Sequence, residues 1–286
     1  MMLKQAGSWT GEPVPIGVFV VGSEPAEANL LGISDEAVAR PQIDVARIGE
    51  APESVVEMLE RARAALAAHR EGAPHPRFDL RTLDAAARTL LSEILGEGEV
   101  EITLGVDPRF LARESVLPGL WRVQVVDLNG GVLDDWLEIG DVPEVVRAGA
   151  QAMTRPTLQL PSEVPEGAMN APALLAEIAE RMQDAPSGEP NHVINFTLLP
   201  MTPVDSALLT RTLGKVAFDS HSRGFGKAKV YLTAHRNVWG VQYYNGIGNV
   251  ILDTLEIGSV PAALCAAQDD YQDSAQRLAE ILEAYA

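Results

Sequence analysis

One stretch of this chain occurs twice, and that limits the available folds more than any other feature. Residues 121–143 read WRVQVVDLNGGVLDDWLEIGDVP and residues 239–261 read WGVQYYNGIGNVILDTLEIGSVP, with 12 of the 23 positions identical. Average residue usage would give roughly one or two matches. Trp121 and Trp239 set the offset at 118 residues. A chain of 286 residues with this period predicts two tandem units. The offset carries upstream: Leu90-Leu91 falls on Leu208-Leu209, Leu95-Gly96 on Leu213-Gly214, and Phe78 and Leu80 on Phe196 and Leu198.

Each copy reads as helix, strand, helix, three strands, helix, an α+β unit with antiparallel sheets. The first helix is expected over 53–69 and 172–183, where apolar residues fall on one face. The extended segment is clearest at 192–199. Asp84 and Thr202 are N-cap residues, with Pro203 suited to the first helical position. Gly96 and Gly214 suit the helix ends. Val142-Pro143 and Val260-Pro261 begin the last helix, which is expected to run on to about Ala284 in the second copy. The division is then an arm (1–51), a first repeat (52–153), a polar, Pro-rich linker (154–169) and a second repeat (170–286). Within the arm, Val14 to Val21 suits a strand.

Asn129-Gly130-Gly131 marks a hairpin turn between the last two strands. A three-residue loop places Trp121 opposite Ile139 and Val123 opposite Leu137, and a two-residue loop places Trp121 opposite Glu138. A slip of one residue exchanges the faces, so the apolar match favours three. Trp239 would then face Ile257, and Val241 would face Leu255. The other face carries Gln124, Trp136 and Glu138, and in the second copy Gln242, Tyr244 and Glu256. Such a face is either solvated or an interface.

Chemistry is hard to find. The single cysteine, Cys265, excludes intrachain disulfides and four-cysteine metal sites, and its apolar setting suits a buried thiol. No two of the five histidines have the i, i+4 spacing of helical zinc sites. His192 and His221 are the pair that convergence in the second copy would bring together. Ser222 to Lys227 is glycine-rich and basic, but a strand pattern follows it, so it reads as a β-turn rather than a phosphate loop. Asp134-Asp135, adjacent on a strand, point to opposite faces. No catalytic, cofactor-binding or metal-ligating set is expected. The formal net charge of −18 disfavours nucleic acid and anionic membranes and suits a basic partner segment. No run of 18 apolar residues is present, and Met1 to Ser8 lacks the apolar core of a secretory signal, so the expected location is the cytoplasm, without membrane insertion.

Several segments resemble one family. Asn191 to Pro203, Ser222-Arg223-Gly224-Phe225-Gly226, Asn237 to Asn245, Asp253 to Ile257, Cys265 to Asp270 and, in the first copy, Glu114 to Val123 are similar to the HupH/HyaF hydrogenase expression/formation proteins. The resemblance covers about residues 85–286. It implies a non-catalytic chaperone in the maturation of an uptake [NiFe] hydrogenase. The implied partners are the small, iron–sulfur subunit precursor before its twin-arginine export and a thioredoxin-like accessory protein. Where the family pattern continues with Asn-Cys-Arg, this chain has Lys227-Ala228-Lys229, so no thiol role is expected there. The copies differ mainly on the outer sheet face, in the Arg223–Lys227 turn and in the tail helix. Trp136, Arg223, Phe225, Gln242 and Tyr244 are therefore the candidate partner-binding residues. Two alternatives stand beside this reading. One is a small-ligand protein or enzyme with a site in the cleft between repeats. The other is a structural scaffold that forms a homo-oligomer, only dimerising through the acidic surface.

Overall fold

The computed structural model describes residues 51–184, 190–223 and 227–283. Residues 1–50 of the arm, including Val14 to Val21, and Phe225 lie outside them. Among the described residues the fold is mixed helix and antiparallel sheet. The first half contains α1 (Glu53–Ala68), β1 (Arg77–Asp79), α2 (Ala85–Leu95), β2 (Val100–Leu104), β3 (Arg109–Glu114), β4 (Leu120–Val126), β5 (Val132–Ile139) and α3 (Glu144–Met153). The second half contains α4 (Ala171–Asp184), β6 (His192–Asn195), α5 (Pro203–Leu213), β7 (Phe218–Ser222), β8 (Lys227–Leu232), β9 (Val238–Tyr244), β10 (Val250–Ile257) and α6 (Gln268–Glu283).

Local chemistry explains the helix limits. The Asp84 carboxylate accepts from Ala87 N at 2.8 Å to start α2. Thr202 and Asp205 form a reciprocal capping box at the start of α5, with Pro203 in its first turn. Gly96 and Gly214 end these helices at φ 59° and 57°, a region unfavourable for residues with a Cβ. The stretch between α2 and Trp121 supplies two strands rather than the one expected, because Gly105 to Pro108 turn it back on itself. In the second half, Val260-Pro261 starts only a short 3-10 turn, Ala262–Leu264, and α6 begins afresh at Gln268.

The ten strands form one sheet in the order β1-β5-β4-β3-β2-β7-β8-β9-β10-β6. The halves meet where β2 pairs with β7: Val100 opposes Ser222, Ile102 opposes Ser220, and Leu104 opposes Phe218. Position 102 plus the offset of 118 is position 220, so this junction is self-complementary about one point.

The hairpin register differs from expectation. The loop has three residues, with Asp127 N donating to Gly131 O (2.9 Å), but Leu133 then bulges out of the ladder. The bulge restores the other register, so Trp121 opposes Glu138 and Val123 opposes Trp136. A bulge at Ile251 does the same in the second half: Trp239 opposes Glu256, and Val241 opposes Thr254. Apolar matching failed as a criterion because both faces are covered. Leu120, Leu137 and Ile139 pack under α1, α2 and α6. Trp121, Val123 and Trp136 belong to the opposite cluster, which includes Val146 and Ala150 of α3. Leu255 and Ile257 pack under α4 and α5.

The edge strand also departs from the offset of 118. Phe78 opposes Leu137, but Ile194, not Phe196, opposes Leu255. Asp79 Oδ1 accepts from Arg81 N, and Asn195 Oδ1 accepts from Thr197 N, so these two residues are equivalent at an offset of 116. Two additional residues before α5 leave Leu198 exposed.

The junction predicts how the chain unfolds. Ile102, fully buried at its centre, should cost about 3 kcal/mol when truncated to alanine. Urea unfolding followed by tryptophan fluorescence and far-UV circular dichroism should show one coincident transition at lower midpoint. Two separated transitions would mean that the halves fold independently.

Candidate functional site

The sheet is not covered evenly. On the face carrying α2 and α5, helices pack over its outer strands, and the middle four, β3, β2, β7 and β8, present an open polar strip. Strand alternation and pairing put Arg113, Glu101, His221 and Lys229 in one row across it. Arg113 Nε lies 3.3 Å from Glu101, and Lys229 Nζ lies 3.0 Å from Asp219. His221 Nε2 is 3.1 Å from Asp219.

Three of the sequence-predicted residues border this strip. Arg223, at the end of β7, crosses to the first half and sits 3.4 Å from Glu101 and 3.9 Å from Glu97. Gln242 opposes Lys229, and Tyr244 opposes Lys227. The Tyr244 hydroxyl donates to Gln242 Oε1 at 3.0 Å. Trp136 lies on the other face, buried, with its indole donating to Glu138 at 2.9 Å and the Arg77 guanidinium 5.4 Å from its ring. His192 and His221 do not converge: His192 is on edge strand β6 beside Glu177, and four strand pairings separate it from β7.

A second feature lies between the halves. A cleft of about 780 Å³ is lined by the loop after α1, the start of α3 and the segment entering α6. His75 bridges two carboxylates, with Nδ1 3.1 Å from Glu138 and Nε2 3.6 Å from Asp141. Arg147 also holds Asp141. His69 stacks edge-on against His75 and Tyr271, at 5.6 and 4.8 Å between rings. Burial, reinforced by Asp141, pushes the Cys265 thiol up to about 12, which makes it unreactive. Burial opposes ionisation of Glu138. Its hydrogen bonds from His75, Glu144 N and Trp136, with Arg77 nearby, outweigh that and hold it below its ordinary value. In the second half Asn191 replaces His75 and donates to Glu256 at 2.9 Å. Gly140 and Gly258 explain the repeated Glu-Ile-Gly: a Cβ at either would lie 2.3 Å from His75 or from Asn191. The sequence concealed this constellation because its members lie in three separate segments and at an offset of 116.

The description "HupH hydrogenase expression protein, C-terminal conserved region" matches residues 51–163 and again 168–285. The hydrogenase expression/formation protein HupH of Rhizobium leguminosarum bv. viciae is 35% identical over 98% of this chain and 99% of its own length. The chain belongs to the HupH family. The hydrogenase-1 operon protein HyaF of Escherichia coli is 29% identical over 96% of this chain and 91% of its own. A solved structure, the hydrogenase expression protein HupH from Thiobacillus denitrificans, is 23% identical and covers 46% of this chain and 96% of that one, with a TM-score of 0.31.

In this HupH-family chain no group of three or more His, Cys, Asp or Glu side chains is placed to hold a metal ion among the described residues. One copy difference beside the strip has a measurable consequence. In the first half, Asp135 is held by Arg122 through two bonds, Nε to Oδ1 at 3.0 Å and Nη2 to Oδ2 at 2.7 Å. The second half has Gly240 at the arginine's place, and the Tyr231 ring fills the space. Asp253 keeps the bond from Gln242 at 3.2 Å, but its Oδ1 has no hydrogen-bond partner among the described residues. Burial pushes its carboxyl up to about 6, against smaller opposing effects of Gln242 and Lys215.

The folded chain therefore binds this proton more tightly than the unfolded chain, whose Asp titrates near ~4. The stability contribution of this one group is greatest below about pH 4, falls as pH rises toward about 6, and is level above it. Asp253→Asn should remove that part of the fall and raise stability at pH 8 by up to about 3 kcal/mol. Urea titrations at pH 4, 6 and 8 check this. An unchanged pH profile would show that Asp253 is not the group responsible.

Proposed function

We propose that this chain is a non-catalytic accessory protein, a chaperone, in the maturation of an uptake [NiFe] hydrogenase. It binds the precursor of the small, iron–sulfur subunit in the cytoplasm before export and works beside a thioredoxin-like accessory protein. Membership of a family named for hydrogenase expression and formation supports the role. No helix among the described residues is long and apolar enough to cross a membrane. The observation that carries the binding reading is the open strip: in a sheet otherwise packed on both faces, four central strands offer side chains to a partner. Arg223, Gln242 and Tyr244 border it. The net charge of −18 over the whole chain suits the paired arginines of an export signal, received away from the strip.

We also read the chain as a duplicated unit, 52–153 and 170–286 joined by 154–169, that has fused a dimer into one polypeptide. The recurring register bulges, caps and Glu-Ile-Gly contacts support this, as does the self-complementary junction. An internal dimer interface makes further homo-oligomerisation unnecessary for completing the sheet.

A second reading has its own support. The inter-half cleft has a volume within the range of small-molecule sites, and its His, Asp and Arg lining belongs to one half. The two readings separate in cells carrying the hydrogenase operon. Tagged chain should recover the small-subunit precursor, and Arg223→Glu with Tyr244→Ala should reduce recovery at least tenfold, with His75→Ala and Arg147→Ala leaving it intact. If recovery survives the strip variants but hydrogenase activity falls in the cleft variants, the cleft is the working site.

A further inference from the structure

The strip has a charge opposite to that of the protein. The described residues contain three lysines, Lys215, Lys227 and Lys229, and all three lie on or beside it. Arg109, Arg113 and Arg223 join them. Against these six cations stand Glu97, Glu101 and Asp219, already engaged by Arg223, Arg113 and Lys229, with Glu99 beside Arg223 and Asp253 near Lys215. Arg109 and Lys227 are both exposed and have no ion pair among the described residues. Lys215 Nζ lies 3.8 Å from the centre of the Tyr231 ring and is attracted by Asp253 and Asp219, so it is not one of the unspent charges. A chain of net charge −18 thus carries one cationic strip with unspent positive charge.

The unspent charges are placed with symmetry. Arg109 plus the offset is position 227, so the two exposed cations are equivalents in the two halves. They stand at diagonal ends of the strip. Three inter-strand steps and about six residues of strand separate them by roughly 25 Å. An extended segment of about seven residues spans that distance, as does a helix of about sixteen.

We propose that the strip is the docking surface for an acidic segment of a partner protein, whose carboxylates pair with Arg109 at one end and Lys227 at the other. This rests on the strip being the partner surface, and it names the chemistry of what is bound. Charge complementarity selects the occupant: a basic segment would meet net positive charge here, whereas it meets net negative charge over the rest of the molecule. Pairing at partly exposed sites is screened, so the contact should be salt-sensitive.

The test uses the full chain and a fluorescein-labelled sixteen-residue peptide of alternating glutamate and alanine, with a lysine–alanine peptide as its opposite. Fluorescence anisotropy should show the acidic peptide binding at 50 mM salt and weakening at least tenfold by 300 mM. Arg109→Glu with Lys227→Glu should weaken it at least tenfold, and Arg109→Lys with Lys227→Arg should not. No binding by the acidic peptide, or equal binding to the charge-reversed chain, overturns the proposal. Self-association that the charge reversal abolishes also overturns it, because the strip would then receive a second copy. Capture of the small-subunit precursor by a chain that ignores acidic peptide would leave the chaperone reading standing and remove only this one.

Discussion

The pairing of β2 with β7 is the contact on which the rest of the structure depends. Each half alone would end in an unpaired strand with a row of exposed backbone donors and acceptors, an edge prone to uncontrolled association. Antiparallel pairing about Ile102 and Ser220 removes both edges at once and makes one ten-stranded sheet. It also places the two helical layers on the same face, apart from each other. The open strip between them is a consequence of the junction and needs no element of its own.

The two halves differ within that frame in a physically consistent way. Residues that hold the sheet together recur, including Trp121 and Trp239, the hairpin bulges, the helix caps and the glutamates under the edge strand. Apart from the cations Arg109 and Lys227 and the glutamines Gln124 and Gln242, residues facing the strip do not recur. Glu97 becomes Lys215, Leu111 becomes Lys229, Arg113 becomes Tyr231 and Arg122 becomes Gly240. The exchange of Arg122 for Gly240 leaves Asp253 without the partner that Asp135 retains, a stability cost beside the strip. The tail differs too: α6 closes over α1 of the first half, tied by Ser274 to Pro118 O (3.0 Å) and Arg277 to Val116 O (3.2 Å).

Much of this was legible in the sequence. The period of 118, the capped helices and the glycine ends followed from residue types whose chemistry is local. The hairpin loop length was legible as well. Its register was not, because the bulges at Leu133 and Ile251 depend on contacts to both faces of the sheet, and a sequence with apolar residues on both faces does not show which face is inside. The equivalence of His75 with Asn191 was hidden by the two-residue difference before α5. Arg223 and Tyr244 could be singled out as differing between the copies and Gln242 as a recurring polar residue of the outer face, yet their common border on one strip required the strand order. Trp136, selected by the same reasoning, is a buried residue of the opposite face, since the register error placed it with Gln124.

The central claim is that a maturation partner binds the open strip. Because the lysines of the described residues all lie there, amine-reactive labelling reports on this surface selectively. The most direct measurement is acetylation footprinting by mass spectrometry of the chain alone and of the chain recovered with its partner from cells carrying the hydrogenase operon. The account predicts that Lys227 and Lys229 become protected, with Lys215 following. Unchanged labelling of these lysines in a complex that is otherwise intact would contradict it.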